Sequence, residues 1–188
     1  VTAIRLLIGL ANPGGEYELT RHNAGAWYIR DLADSAMLSL SAETKLKCAT
    51  VKYAPSTLLA VPLTFMNHSG QALQAIMHYY KITPEEIIVA HDDIDLPPGT
   101  IKIKEDGGHG GHNGLRDIFK HLGTQRFWRL RIGVGRPEHT NQVTNFVLKA
   151  PSKGDQQLID DALIEAQRIT PLLIQGDFQE AMLQLHTR

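Results

Sequence analysis

Ile4-Arg5-Leu6-Leu7-Ile8-Gly9-Leu10-Ala11-Asn12-Pro13-Gly14-Gly15 is a short, nearly continuous apolar run that stops at a turn signal. A strand with one wet face would alternate, so this pattern is that of a strand buried on both faces. From Asn23 to Met37, the residues Ala26, Trp27, Ile29, Leu32, Ala33 and Met37 return every three or four positions, as on one face of a helix. Strand, polar loop and helix form the opening unit, which sets an α/β class. Outward from it, residues 51–63 suggest a hairpin, and Ser69 to Tyr80 a helix with Leu73, Ile76, Met77 and Tyr80 on one side. Ile87 to Ala90 reads as a second buried strand running into the polar turn His91 to Gly99. Residues 100–104 and 128–135 alternate, and the glycine-rich stretch 107–114 leads into a helix through Leu122. Two last helical patterns begin near Ser152 and Phe178, separated near Pro171. Hairpins among helix-linked strands predict a mixed, twisted β-sheet flanked by α-helices, in one α/β domain over residues 1–188.

The length of 188 residues suits one domain, and 43% hydrophobic with 21% charged residues lies far from the signature of disorder. A net charge of −1 removes the case for indiscriminate polyanion binding, so any nucleic-acid site must be local. Cys48 is the only cysteine, which forbids an internal disulfide or a Cys-rich zinc site and fits a reducing compartment. The apolar opening is too short for a membrane span and lacks a cleavage pattern, so a cytoplasmic protein is expected. Asn67-His68-Ser69 is a glycosylation sequon in form only, since no secretory signal accompanies it.

Ligands of open α/β sheets gather beyond the carboxyl ends of strands. Four polar clusters fall there: Asn12-Pro13-Gly14 with Arg21-His22-Asn23, His91-Asp92-Asp93, Gly107 through Gly114, and Phe65-Met66-Asn67. Of nine histidines, His78, His121, His139 and His186 are assigned to a solvent-facing or structural background. His22 differs, because it sits in a loop where Asp92 or Asp93 from another strand end could fix its tautomer and raise its basicity. Loop aspartates also cap turns, which is the plainer use of either residue.

Other chemistries fit less well. His109 and His112 with three nearby aspartates resemble a hard-ligand cluster, but the glycine spacers confer flexibility and no second fixed pair appears. There is no G-x-S-x-G elbow, and Cys48 has no histidine beside it, which leaves water as the nucleophile. Gly9 to Gly14 has Walker spacing but continues Gly15-Glu16, without the required Lys-Ser/Thr, and residues 107–114 miss the dinucleotide fingerprint. A glycine-rich turn before a helix can still offer backbone N–H groups to a phosphate or oxyanion. Between residues 116 and 136 stand Arg116, Lys120, Arg126, Arg129, Arg131 and Arg136 against Asp117 alone, six cations to one anion. Period two puts Arg129 and Arg131 on one strand face and Lys102 and Lys104 on another. If those strands are neighbours, four cations line a surface suited to a phosphate-rich ligand or simply to solvent.

These residues carry a resemblance. Gly9 to Gly14, Thr20 to Gly25, Phe65 to Gly70, His91 to Asp95 with Pro98-Gly99, Gly107 to Asp117 and Arg129 to Pro137 are similar, block by block and in order, to the bacterial-type peptidyl-tRNA hydrolases. The departures near the site are minor: Asp92-Asp93-Ile94-Asp95 stands where the family more often has Asp-Glu-Leu-Asp, and His68 falls at a position that varies.

The resemblance implies a cytoplasmic monomer, without metal or organic cofactor, that cleaves the ester between a peptide and the terminal ribose of tRNA. By position, His22 resembles the base that activates water, Asp92 its carboxylate partner, and Asn12 the residue that distinguishes an N-blocked aminoacyl group. Asn67 and Asn113 match substrate-holding amides, Tyr17 and Phe65 lie beside the bound tRNA end, and Met66 lines the cleft. Lys102, Lys104 and Arg131 fall where the family grips acceptor-stem phosphate, and residues 136–150 look like its mobile segment over the cleft. The competing expectation is a non-catalytic RNA-binding module using the Lys102/Lys104/Arg131 face.

Overall fold

A computed structural model describes residues 2–186 of the chain, with the side chain of His186 outside the described set. The strands are β1 (Leu6–Gly9), β2 (Ser41–Glu43), β3 (Cys48–Ala54), β4 (Thr57–Pro62), β5 (Ile87–Asp93), β6 (Ile101–Glu105) and β7 (Trp128–Gly133). The helices are α1 (Ala24–Ser35), α2 (Ser69–Tyr80), α3 (Asn113–Leu122), α4 (Val143–Val147), α5 (Lys153–Ile174) and α6 (Phe178–His186). The strands form one sheet in the order β2-β3-β4-β1-β5-β7-β6. β4, β1, β5 and β7 run parallel, and β2, β3 and β6 add antiparallel edges. This is the mixed, helix-flanked α/β sheet expected.

β1 sits at the centre, and period two distributes its side chains to two cores. Leu7 joins Tyr28, Ile29, Leu59, Ile88, Leu130 and Ile132 under α1, α5 and α6. Leu6, Ile8 and Leu10 join Leu73, Ile76, Val89 and Ile118 under α2 and α3. Truncating Leu7 or Ile8 to alanine would cost about 2–5 kcal/mol in such surroundings.

One close crossing positions the site. A Cβ on Gly25 would lie 2.2 Å from the Ala90 carbonyl oxygen, and one on Gly9 would lie 2.1 Å from the Gly25 carbonyl oxygen. Only glycine admits this approach, which seats the start of α1 directly on the carboxyl ends of β1 and β5.

Two boundaries differ from expectation. β5 continues past Ala90 to Asp93, because His91, Asp92 and Asp93 pair in register with Arg131, Ile132 and Gly133 of β7. Pro171 does not divide the last two helices; it lies inside α5, and the break comes at Gly176, where φ is +81°. Pro171 is on the exposed side, where water can take up the freed carbonyl, while buried Ile169, Thr170 and Leu173 hold the other face. The segment 136–150 contains a 3-10 turn at Thr140–Gln142 followed by α4.

Candidate active site

Beyond the carboxyl ends of β1, β4 and β5 opens a cleft of about 780 Å³. His22 reaches it from the 3-10 turn Arg21–Asn23, which leads into α1. Asp92 faces it from β5, so the carboxylate stands on a paired strand instead of a turn. The His22 Nδ1 lies 3.0 Å from both Asp92 oxygens, and both side chains are buried. His112, from the end of the glycine-rich loop, brings its Nε2 to 2.8 Å from Asp92 Oδ1. The carboxylate therefore serves two imidazoles.

The hydrogen-bond pattern assigns both tautomers. The His112 Nδ1 accepts from the backbone N–H groups of Gly114 and Leu115, capping α3, so its proton must be on Nε2 and is donated to Asp92. An ionised carboxylate only accepts, so His22 donates Nδ1–H and keeps its Nε2 lone pair. Burial opposes ionisation of Asp92, but His22 and His112, lying against it and donating hydrogen bonds to it, hold it well below the usual carboxylate range. Burial likewise works against the His22 imidazolium, yet the Asp92 charge and hydrogen bond outweigh it and place His22 above its ordinary value. His91, buried behind them, donates Nδ1–H to the Asp92 carbonyl, and burial with the nearby His112 pushes it down to about 4.

Among the described residues, His22, Asp92 and His112 also bring ligand-type atoms within 4.8 Å of one another. The hydrogen bonds argue against a metal there. Coordination through His112 Nε2 would leave that ring without a proton on either nitrogen, since Nδ1 is already committed as an acceptor. His109 does not contribute: its Nδ1 accepts from the Gly111 N–H and its ring packs against Phe119.

Asn12 is held on three sides. Its backbone N–H donates to Asn23 Oδ1 at 2.9 Å, its carbonyl accepts from Asn23 Nδ2 at 3.0 Å, and its Oδ1 accepts from the Met66 N–H at 2.7 Å. With the oxygen so engaged, the Nδ2 of Asn12 is the group left for a ligand. Asn113 is polarised the same way, its Oδ1 accepting from Arg116. Tyr17, Phe65, Met66, Asn67 and Asn113 all line the cleft, with Tyr17 and Phe65 edge to face at 6.1 Å.

Strands β6 and β7 are neighbours, and Lys102 and Lys104 stand opposite Arg131 and Arg129 in register. The four cations are nevertheless not equivalent. Lys102 and Lys104 are exposed, and Lys104 and Arg131 line the cleft while Lys102 lies outside its lining. Arg131 donates Nε–H to Asp93 at 2.7 Å. Arg129 is buried and hydrogen-bonds the carbonyls of Gly108 and Gln125, tying down the loop that carries His112. Period two predicts the face of Arg129 but not its burial, because the glycine-rich loop that covers it is distant in sequence.

His112 and Asn23 are the site residues that sequence reasoning passed over in these roles. The sole sequence signal of His112 in this role is its place one residue before α3, and that of Asn23 is the block it shares with His22. His78, His121 and His139 lie outside the cleft lining, as expected of background histidines.

Residues 6–188 match the family described as peptidyl-tRNA hydrolase. A peptidyl-tRNA hydrolase of Nitrosospira multiformis is 48% identical over 188 residues, covering 98% of each chain. One of Coxiella burnetii is 50% identical over 184 residues with the same coverage. The crystal structure of peptidyl-tRNA hydrolase from Acinetobacter baumannii superposes with a TM-score of 0.93 at 41% identity, covering 100% of this chain and 97% of that one.

Proposed function

This chain belongs to the peptidyl-tRNA hydrolase family, and from that premise we propose how its cleft splits the ester joining a peptide to the terminal ribose of tRNA. The observation that carries the mechanism is the His22–Asp92 pair, which leaves His22 Nε2 unprotonated and turned to the task of a base. Nε2 takes a proton from water as the oxygen attacks the ester carbonyl carbon, and Asp92 stabilises the resulting imidazolium. An amide N–H of Asn67 or Asn113, or a backbone N–H, donates to the oxygen that becomes negative. Collapse breaks the bond to the ribose oxygen, which receives the proton from His22, so water ends as a carboxyl on the peptide and a hydroxyl on the tRNA.

The polarity of Asn12 gives a physical account of substrate choice. Its Nδ2 can donate to the acyl carbonyl of an N-blocked aminoacyl group. A free ammonium is itself a donor and meets this group unfavourably, so ordinary aminoacyl-tRNA is spared. Tyr17 and Phe65 offer ring surfaces to the bases at the tRNA end, and Lys104, Lys102 and Arg131 offer charge to acceptor-stem phosphates.

The reading includes a monomer working in the cytoplasm without metal or organic cofactor. No helix among the described residues is long and apolar enough to cross a membrane. A purely RNA-binding module would need the basic face but leaves the buried imidazole–carboxylate arrangement without a task. The decisive assay incubates the protein with an N-acetylated aminoacyl-tRNA and with its free-amine counterpart. Cleavage of the first alone is expected; cleavage of neither would overturn the reading.

A further inference from the structure

One wall of the cleft is thinly supported. Val143, Thr144 and Val147 of α4 line it together with Leu148, yet α4 has five residues, no side-chain N-cap and one buried residue, Val147. Isolated helices are marginal in water below about 12–15 residues, so the place of this one must be fixed from outside.

Arg21, the residue before His22, does the fixing. Its backbone N–H donates to the Lys149 carbonyl at 3.1 Å. Its Nη1 donates to the Phe146 carbonyl at 2.8 Å and again to Lys149 at 3.2 Å. Its guanidinium carbon lies 3.7 Å from the centre of the Phe146 ring. The side chain is 8% exposed, and the buried Nε has no partner among the described residues, so these guanidinium hydrogen bonds go to the wall and none to its own turn. They take up carbonyls at the carboxyl end of α4, where a cation also suits the helix dipole. Only a planar guanidinium can lie on a ring face while donating in its own plane.

We infer that Arg21 is a positioning residue for the reaction, latching the α4 wall to the turn that carries the base so that wall and imidazole keep a fixed spacing around the acyl-tRNA end. The inference rests on the proposed reading of the cleft, but its structural half is measured independently of turnover. Amide exchange and steady-state kinetics on N-acetyl-aminoacyl-tRNA are compared for wild type, Arg21→Ala, Arg21→Lys and Phe146→Leu.

In Arg21→Ala, exchange of amides 143–149 should quicken and KM should rise by about tenfold, the scale of one well-placed hydrogen bond, while kcat stays within about twofold. The midpoint of the pH–kcat profile should not move. Arg21→Lys and Phe146→Leu should fall between, with exchange and KM rising together, and they carry the test if Arg21→Ala fails to fold. Unchanged exchange would remove the latch. Faster exchange at unchanged KM would separate the wall from substrate. A lowered kcat with a displaced pH midpoint would show Arg21 acting through His22 instead. Wild type that cleaves no ester would sink the functional reading and leave the exchange result standing.

Discussion

His112 and His22 donate to one carboxylate, that of Asp92, at 2.8 and 3.0 Å. Two donors hold the charge of Asp92 in a buried place where a single partner would leave an oxygen underused. The shared acceptor also divides its attraction, so His112 tempers how strongly Asp92 raises the basicity of His22. Removing His112 by an alanine substitution should therefore move the His22 titration upward, a shift readable in the pH dependence of kcat.

Replacing His22, the proposed base, tests the chemistry most directly. His22→Ala should lower kcat by about 10²- to 10⁴-fold, the usual contribution of a positioned general base, while tRNA affinity stays close to wild type. Single-turnover hydrolysis and a filter-binding titration give the two numbers. Wild-type turnover should survive exhaustive chelation in the same assay.

The pH dependence follows from the raised His22 value. As the proposed base, His22 must be neutral, so its raised pKa delays activity: turnover should climb through a midpoint above the ordinary histidine value and then level. Asp92→Asn withdraws the charge that raises it and leaves burial, which lowers it. The midpoint should then fall below that of wild type, with a loss in kcat of about 10²- to 10⁴-fold as the imidazole loses its fixed tautomer.

Asn12→Asp keeps an oxygen for the Met66 N–H but replaces the Nδ2 donor with an acceptor. Preference for N-acetylated over free-amine aminoacyl-tRNA should drop by about tenfold or more, because a donor lost to one substrate becomes an acceptor for the other's ammonium. Competition kinetics with both substrates in one reaction measures the ratio.

The cations of β6 and β7 should separate by experiment. Lys104→Ala should raise KM and reduce the slope of log affinity against log salt by about one, as for a lost phosphate contact. Arg129→Ala should instead cost about 1–3 kcal/mol of stability, since it leaves the Gly108 and Gln125 carbonyls without their donor, with the salt slope little altered. Urea unfolding beside salt-dependent binding distinguishes them.

Much of the molecule is legible in its sequence. The apolar run through Ile8 reads directly as a central strand because both faces are buried, and Leu73, Ile76 and Met77 read as a helix face for the same reason of period. What local pattern misses is what distant elements decide. β5 extends through Asp92 because β7, some forty residues on, supplies its pairing. Pro171 is a breaker by local rule, yet burial of Ile169 and Leu173 keeps α5 whole. Asn12 and His22 stand out by loop position, but the tautomer of His112 depends on an amide cap that only the folded loop creates.

The glycine contact at residue 25 has a consequence for how such a catalyst can change. With main chain pressed on main chain between α1 and β5, the spacing of the backbone segments that carry His22 and Asp92 is fixed by direct peptide contact. Libraries that randomise the lining at positions such as 17, 65 or 143 can thus vary how the cleft grips its ligand without retuning the His22–Asp92 pair. Specificity can drift here while the reaction stays where it is.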